Sequence, residues 1–170
     1  MEGHASFIRG NHDDLLAKYI RNYYDPARNK HFRYKRYRYN SFEILRKGLK
    51  EEDMLKLADM ILSWPLQEEI CVSGTNYLLA HARTSSPQIK ENDDYYLTGG
   101  LGVDEFFMDG IEGYVSVVGH TRTDKVWRNQ KQNVIMLDTG CGFKDGRLSC
   151  LCLENKKIIQ SITRQILKTV

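Results

Sequence analysis

The spacing of apolar and polar residues changes character along the chain, from helical periods early to strand-like runs late. Residues 5–9 (Ala-Ser-Phe-Ile-Arg) read as the end of a buried strand, and Gly10 permits a tight turn after it. Asp13 and Asp14 then open a helix that runs to about Tyr24. Leu15, Leu16, Tyr19, Ile20 and Tyr23 recur at helical spacing, and Asp25-Pro26 stops it. Residues 28–39 carry no clear period. Ser41 to Lys50 and Glu51 to Ser63 predict two short helices. In the second, Met54, Leu57, Ala58, Ile61 and Leu62 form the apolar face, and Trp64-Pro65 ends it.

Strand-like texture follows. Glu68 to Ser73 and Tyr77 to His81 flank Gly74-Thr75-Asn76, which signals a hairpin. Residues 85–94 form a polar loop, and the Gly-rich Thr98-Gly99-Gly100-Leu101-Gly102 comes next. That tract reads as a plain turn, because the Lys and Ser/Thr of a phosphate-cradling loop do not follow it. A short helix is expected around Asp104 to Asp109. Tyr114 to Val118 predicts a strand with Gly119-His120-Thr121 at its C-terminal end, and Val134 to Leu137, Leu148 to Leu153 and Lys157 to Ile162 predict three more. Helices first and strands later point to an α+β or layered αββα fold with mixed β-sheets flanked by helices. There is no internal repeat and no low-complexity linker.

Composition narrows the class. A chain of 170 residues fits one domain over 1–170, and 41% hydrophobic with 28% charged residues is ordinary for a globular protein in water. A net charge of +3 does not by itself imply a polyanionic partner. No apolar run approaches the roughly 20 residues of a membrane span, and the N-terminus lacks a signal-peptide layout. Cys71, Cys141, Cys150 and Cys152 contain no pair of CxxC units, so buried free thiols of a reducing cytoplasm are expected.

Three segments share one design, in which an apolar run ends and a histidine stands just beyond it: Asn11-His12-Asp13, Leu78-Leu79-Ala80-His81 and Val117-Val118-Gly119-His120. Strand ends converging on one sheet edge can gather ligands from distant parts of the chain. The amide oxygen of Asn11 and the imidazoles of His81 and His120 suit Mn, Fe, Zn or a similar divalent ion. His12 can then donate a proton to a leaving oxygen, with Asp13 orienting its ring, and Arg9 offers a planar two-pronged donor to a phosphoryl group. Each histidine also has a duller reading as a hydrogen-bonded structural residue. Spacing alone does not separate phosphate hydrolysis from other metal chemistry.

Arg9-Gly10-Asn11-His12-Asp13, His81 after an apolar strand, and Gly119-His120-Thr121 resemble, in order, the last three motif blocks of calcineurin-like metallophosphoesterases. The tail Asp138-Thr139-Gly140, then Gly146-Arg147-Leu148, then Cys152-Leu153-Glu154 is similar to the bacterial serine/threonine protein phosphatase branch. The resemblance spans residues 7–154. It implies that Asn11, His81 and His120 ligate one metal of a two-metal centre, manganese among the candidates. It further implies that His12, oriented by Asp13, protonates the leaving oxygen and that Arg9 binds phosphate. The substrate class is a phosphorylated protein or small phosphoester.

The sequence departs from that pattern in places. The family's Asp-x-His and Gly-Asp-x-x-Asp-Arg-Gly blocks do not occur in it. The resemblance therefore implies the C-terminal portion of such a domain, truncated, with at most one well-formed metal site, weak or absent activity and self-association through an exposed sheet edge. Ala82-Arg83 follows His81 where the family often has Gly, and Arg122 stands where it has Pro. The alternative from another class is a non-catalytic binding module. Residues 28–39 hold six Lys or Arg and four aromatics, an interleaving that can track a nucleic-acid backbone or contact an acidic partner. A solvated loop over a phosphoesterase site is preferred, and neither nucleic acid nor membrane is an expected partner.

Overall fold

The computed structural model describes residues 5–25, 27, 39–99 and 105–161, and it divides into two compact units, Met1–Pro65 and Leu66–Val170. Residues 28–38 of the basic aromatic segment, 100–102 of the Gly-rich tract, Asp104 of the expected short helix and Ile162 lie outside the described residues.

The first unit contains helices α1 (Asn11–Tyr24), α2 (Ser41–Gly48) and α3 (Glu51–Ser63). Helix α1 starts two residues earlier than the sequence suggests, because Asp13 caps it: its carboxylate accepts the Gly10 N–H at 3.0 Å. Ala17 and Ile20 of α1, Phe42 of α2, and Met54, Ala58 and Ile61 of α3 form the core, with Leu16, Tyr19, Leu57 and Leu62 packed against it. The expected apolar face of α3 is the one buried. On α1, however, Leu15 is 46% exposed and Ala17 takes the buried place. Residues 5–10 join no ladder, which corrects the expected strand end. The described elements of this unit are helices, whose backbone groups are already paired internally. The segment is instead held by the Arg9 N–H on the Pro65 carbonyl at 2.9 Å and by Phe7 stacked on Trp64 at 5.0 Å.

The second unit is built on a five-stranded mixed sheet in the order β1-β2-β3-β5-β4. Its strands are β1 (Gln67–Val72), β2 (Thr75–Ala80), β3 (Val115–Val118), β4 (Trp127–Arg128) and β5 (Val134–Met136). β1 and β2 form an antiparallel hairpin with Val72 opposite Thr75, so the turn is Ser73-Gly74 and not the expected Gly74-Thr75-Asn76. Both turn residues have positive φ, 50° and 76°, the condition for a two-residue turn that matches strand twist. β2, β3 and β5 run parallel, and β4 is antiparallel to β5. A separate antiparallel pair joins β6 (Ser149–Leu151) and β7 (Ile158–Gln160).

Two short helices, α4 (Asp93–Thr98) and α5 (Glu105–Asp109), precede β3. α4 falls in and after the stretch read as polar loop. The Asn92 side chain caps it at the Tyr95 N–H, 3.0 Å, and Gly99 at φ 84° ends it. Tyr77, Val117 and Ile135 form one apolar cluster of the sheet, and Val118, Val134 and Met136 another. The chain is thus α+β with a mixed sheet. Among the described residues no helix is long and apolar enough to cross a membrane.

All four cysteines are free, but Cys71, Cys141 and Cys150 are exposed and Cys152 is half-buried, which corrects the expectation of buried thiols. Strand alternation explains two of them. Ile70 and Val72 on β1, and Leu151 on β6, turn to the apolar cluster, which leaves Cys71 and Cys150 on the opposite faces.

Candidate functional site

The parallel strands β2, β3 and β5 end together. Leu79 pairs with Val117 and Val118 with Met136, so His81, Gly119-His120 and Asp138 follow the three strands at one edge. The pairing continues past the strands, since the Gly119 N–H donates to the His81 carbonyl and the Leu137 N–H to the Val118 carbonyl, each at 2.8 Å. The C-terminal ends of parallel strands are where diverging loops leave room for a ligand.

Local bonds set each imidazole. The Ala82 N–H donates to the Tyr96 carbonyl of α4 at 2.8 Å, and Thr84 is tied to Ser116 of β3 through their hydroxyls at 2.6 Å. His120 has φ 61°, left-handed backbone that few residues other than Gly adopt, and the Thr121 N–H closes the turn on the Gly119 carbonyl at 2.7 Å. His81 Nε2 and His120 Nδ1 stand 3.1 Å apart, with ring centroids separated by 5.0 Å and planes at 67°. One ring nitrogen can donate to the other. A spacing of about 3 Å also suits two adjacent nitrogens on one divalent ion with bonds of about 2.1 Å. The imidazoles therefore fit such an ion chemically. Among the described residues no three His, Cys, Asp or Glu side chains gather as a metal-holding group.

A pocket of about 270 Å³ opens at this edge, lined by His81 and His120 together with Asp138, Cys141, Arg147 and Ser149. Asp138 fixes a turn: its carboxylate accepts the Gly140 N–H at 2.8 Å. Beyond it the chain loops and returns. The Arg147 N–H reaches the Thr139 carbonyl at 3.0 Å, and the Thr139 hydroxyl donates to the Arg147 carbonyl at 2.7 Å. A Cβ on Gly146 would lie 1.5 Å from the Gly140 carbonyl oxygen, so only glycine allows this close approach. The Arg122 guanidinium packs beside Gly140 and stacks over the Phe143 ring at 4.8 Å.

The other expected site residues lie in the first unit, around the start of α1. Asn11 and His12 occupy its first turn. His12 is exposed and its ring lies 4.3 Å from that of Tyr39. Arg9 is 9% exposed. Its Nη1 donates to the Leu62 carbonyl at 3.2 Å and stands 3.7 Å from the Asp14 carboxylate. Asp14, also buried, is paired with Lys18 at 2.6 Å. In the sequence Asp14 reads only as a helix opener, though its spacing of four from Lys18 is a signal for a pair. Arg147 and Cys141 carry no mark of the pocket in the sequence, because nothing local shows a loop residue facing a site built by strands that end far earlier in the chain.

The structure thus brings His81 and His120 together within one unit and gathers Arg9, Asn11, His12 and Asp13 within the other. No protein-family model matches the chain, and no curated protein matches it.

Proposed function

We propose that the chain is a metal-dependent phosphoesterase similar to calcineurin-like metallophosphoesterases of the bacterial serine/threonine phosphatase branch. On this reading the α+β fold belongs to the layered αββα class. The observation that carries the proposal is the His81–His120 pair, two imidazole nitrogens 3.1 Å apart at the ends of adjacent parallel strands. The ordered tracts Arg9–Asp13, Gly119–Thr121, Asp138–Gly140 and Gly146–Leu148 support the same reading.

His81 and His120 would hold a divalent ion, Mn, Fe or Zn. A bound ion supplies an acidified water and neutralises phosphoryl oxygens. The chain's own residues do the rest. The resemblance gives His12, exposed in the first turn of α1, the role of proton donor to the leaving oxygen. Asp13 holds that turn through the Gly10 N–H. Arg9, already engaged with Leu62 and Asp14, contributes to phosphate binding chiefly by fixing the tract in front of Asn11. The 170 residues contain neither Asp-x-His nor Gly-Asp-x-x-Asp-Arg-Gly, so the expected turnover is low.

Two measurements test the reading. Mn(II) binding followed by electron paramagnetic resonance should weaken by at least about tenfold in His81→Ala and His120→Ala, the loss of one ligand bond. Release of nitrophenolate from an aryl phosphate should require added Mn and disappear in His12→Ala. Equal Mn binding by wild type and both histidine variants, or hydrolysis indifferent to metal, would refute the proposal.

A further inference from the structure

The pocket beside the paired imidazoles has its own cation. Arg147 lines it, is exposed, and among the described residues its guanidinium has no hydrogen-bond or ion-pair partner. Among the described residues, the hydrogen bonds that fix Arg147 are made by its backbone, to Thr139 on the neighbouring segment. Its backbone is therefore placed at the pocket without using its charge. Gly146 fixes the approach of the loop to Gly140, and Arg122 is occupied by its packing beside Gly140 and over Phe143. Asp138, also in the pocket lining, accepts the Gly140 N–H through one carboxylate oxygen. Arg9 differs on each count, being buried and bonded to the Leu62 carbonyl.

We propose that Arg147 is the phosphate-binding residue of the His81–His120 pocket, taking the dianionic group of a phosphomonoester on its guanidinium fork. The fork presents parallel N–H donors that match two phosphoryl oxygens, and an uncommitted guanidinium loses no existing ion pair on binding. This assignment rests on the phosphoesterase reading for the identity of the anion, and on the pocket alone for the presence of an anion site.

Inorganic phosphate is the probe, titrated calorimetrically into the full chain with and without Mn. Arg147→Ala should weaken phosphate binding by about tenfold or more, the scale of one charge-assisted contact, and Arg147→Lys should restore part of it. Folding should be unaffected, because alanine keeps both backbone bonds to Thr139, and circular dichroism checks this. Phosphate binding that is absent in wild type, or equal in wild type and Arg147→Ala, overturns the proposal.

Failure of the underlying reading looks different. If Arg147→Ala weakens phosphate binding while no Mn-dependent hydrolysis occurs, the anion site stands and the phosphoesterase does not. If hydrolysis occurs and Arg147→Ala leaves both KM and inhibition by phosphate unchanged, the enzyme stands and Arg147 has no part in it.

Discussion

At the scale of single residues, neighbouring carboxylates at the start of α1 do different work. Asp13 accepts one backbone N–H at the helix start, whereas Asp14 is buried between Arg9 and Lys18. Removing a cap costs about 1 kcal/mol. Removing one partner of a buried pair costs more, because the other charge stays behind in a poorly solvated place. Asp14→Ala is accordingly expected to lower stability by about 3 kcal/mol and Asp13→Ala by about 1 kcal/mol. Urea unfolding separates the two, and an Asp14→Ala loss no larger than that of Asp13→Ala would show that Arg9 does not depend on its pair. Asp14 was legible as a charge on a helix. Its burial was not, since that depends on α3 bringing the Leu62 carbonyl to Arg9.

At the scale of elements, long periodic segments were legible and short ones were not. The apolar face of α3 follows from a period repeated over thirteen residues. Helix α4 has six residues and strand β4 two, too few to show any period, and both depend on partners distant in sequence. The β1–β2 turn is an intermediate case. Its existence was legible from Gly74, but its register was set by which residues tolerate positive φ. Ser73 sits at φ 50°, where asparagine is better suited. Ser73→Asn should therefore raise stability by about 0.5 kcal/mol, read as a higher midpoint of thermal unfolding. A lower midpoint would mean that the Ser73 side chain matters more than its backbone.

At the scale of the whole molecule, the thiols report on how strand alternation distributes side chains between core and solvent. Cys71, Cys141 and Cys150 are exposed, while the half-buried Cys152 donates its S–H to the Glu154 carboxylate at 3.1 Å. That hydrogen bond is the main cause holding Glu154 below its ordinary carboxyl range. A native titration with an aromatic disulfide reagent should show three fast thiols and one slower, with all four reacting alike after denaturation. Fewer fast thiols than the three exposed ones would mean that those faces are covered in solution.

The sequence by itself determined the α+β class, the helical face of α3, the strands around β3 and β5, and the residue types able to bind a metal or phosphate. These depend on local periods and on side-chain chemistry, both carried by the residues themselves. Only the tertiary structure decided that His81 and His120 stand 3.1 Å apart, that Arg9 is buried, and that Arg147 lines the pocket with its charge uncommitted. Each of these is set by parallel strand pairing or loop return between segments far apart in the chain. No local pattern encodes that register.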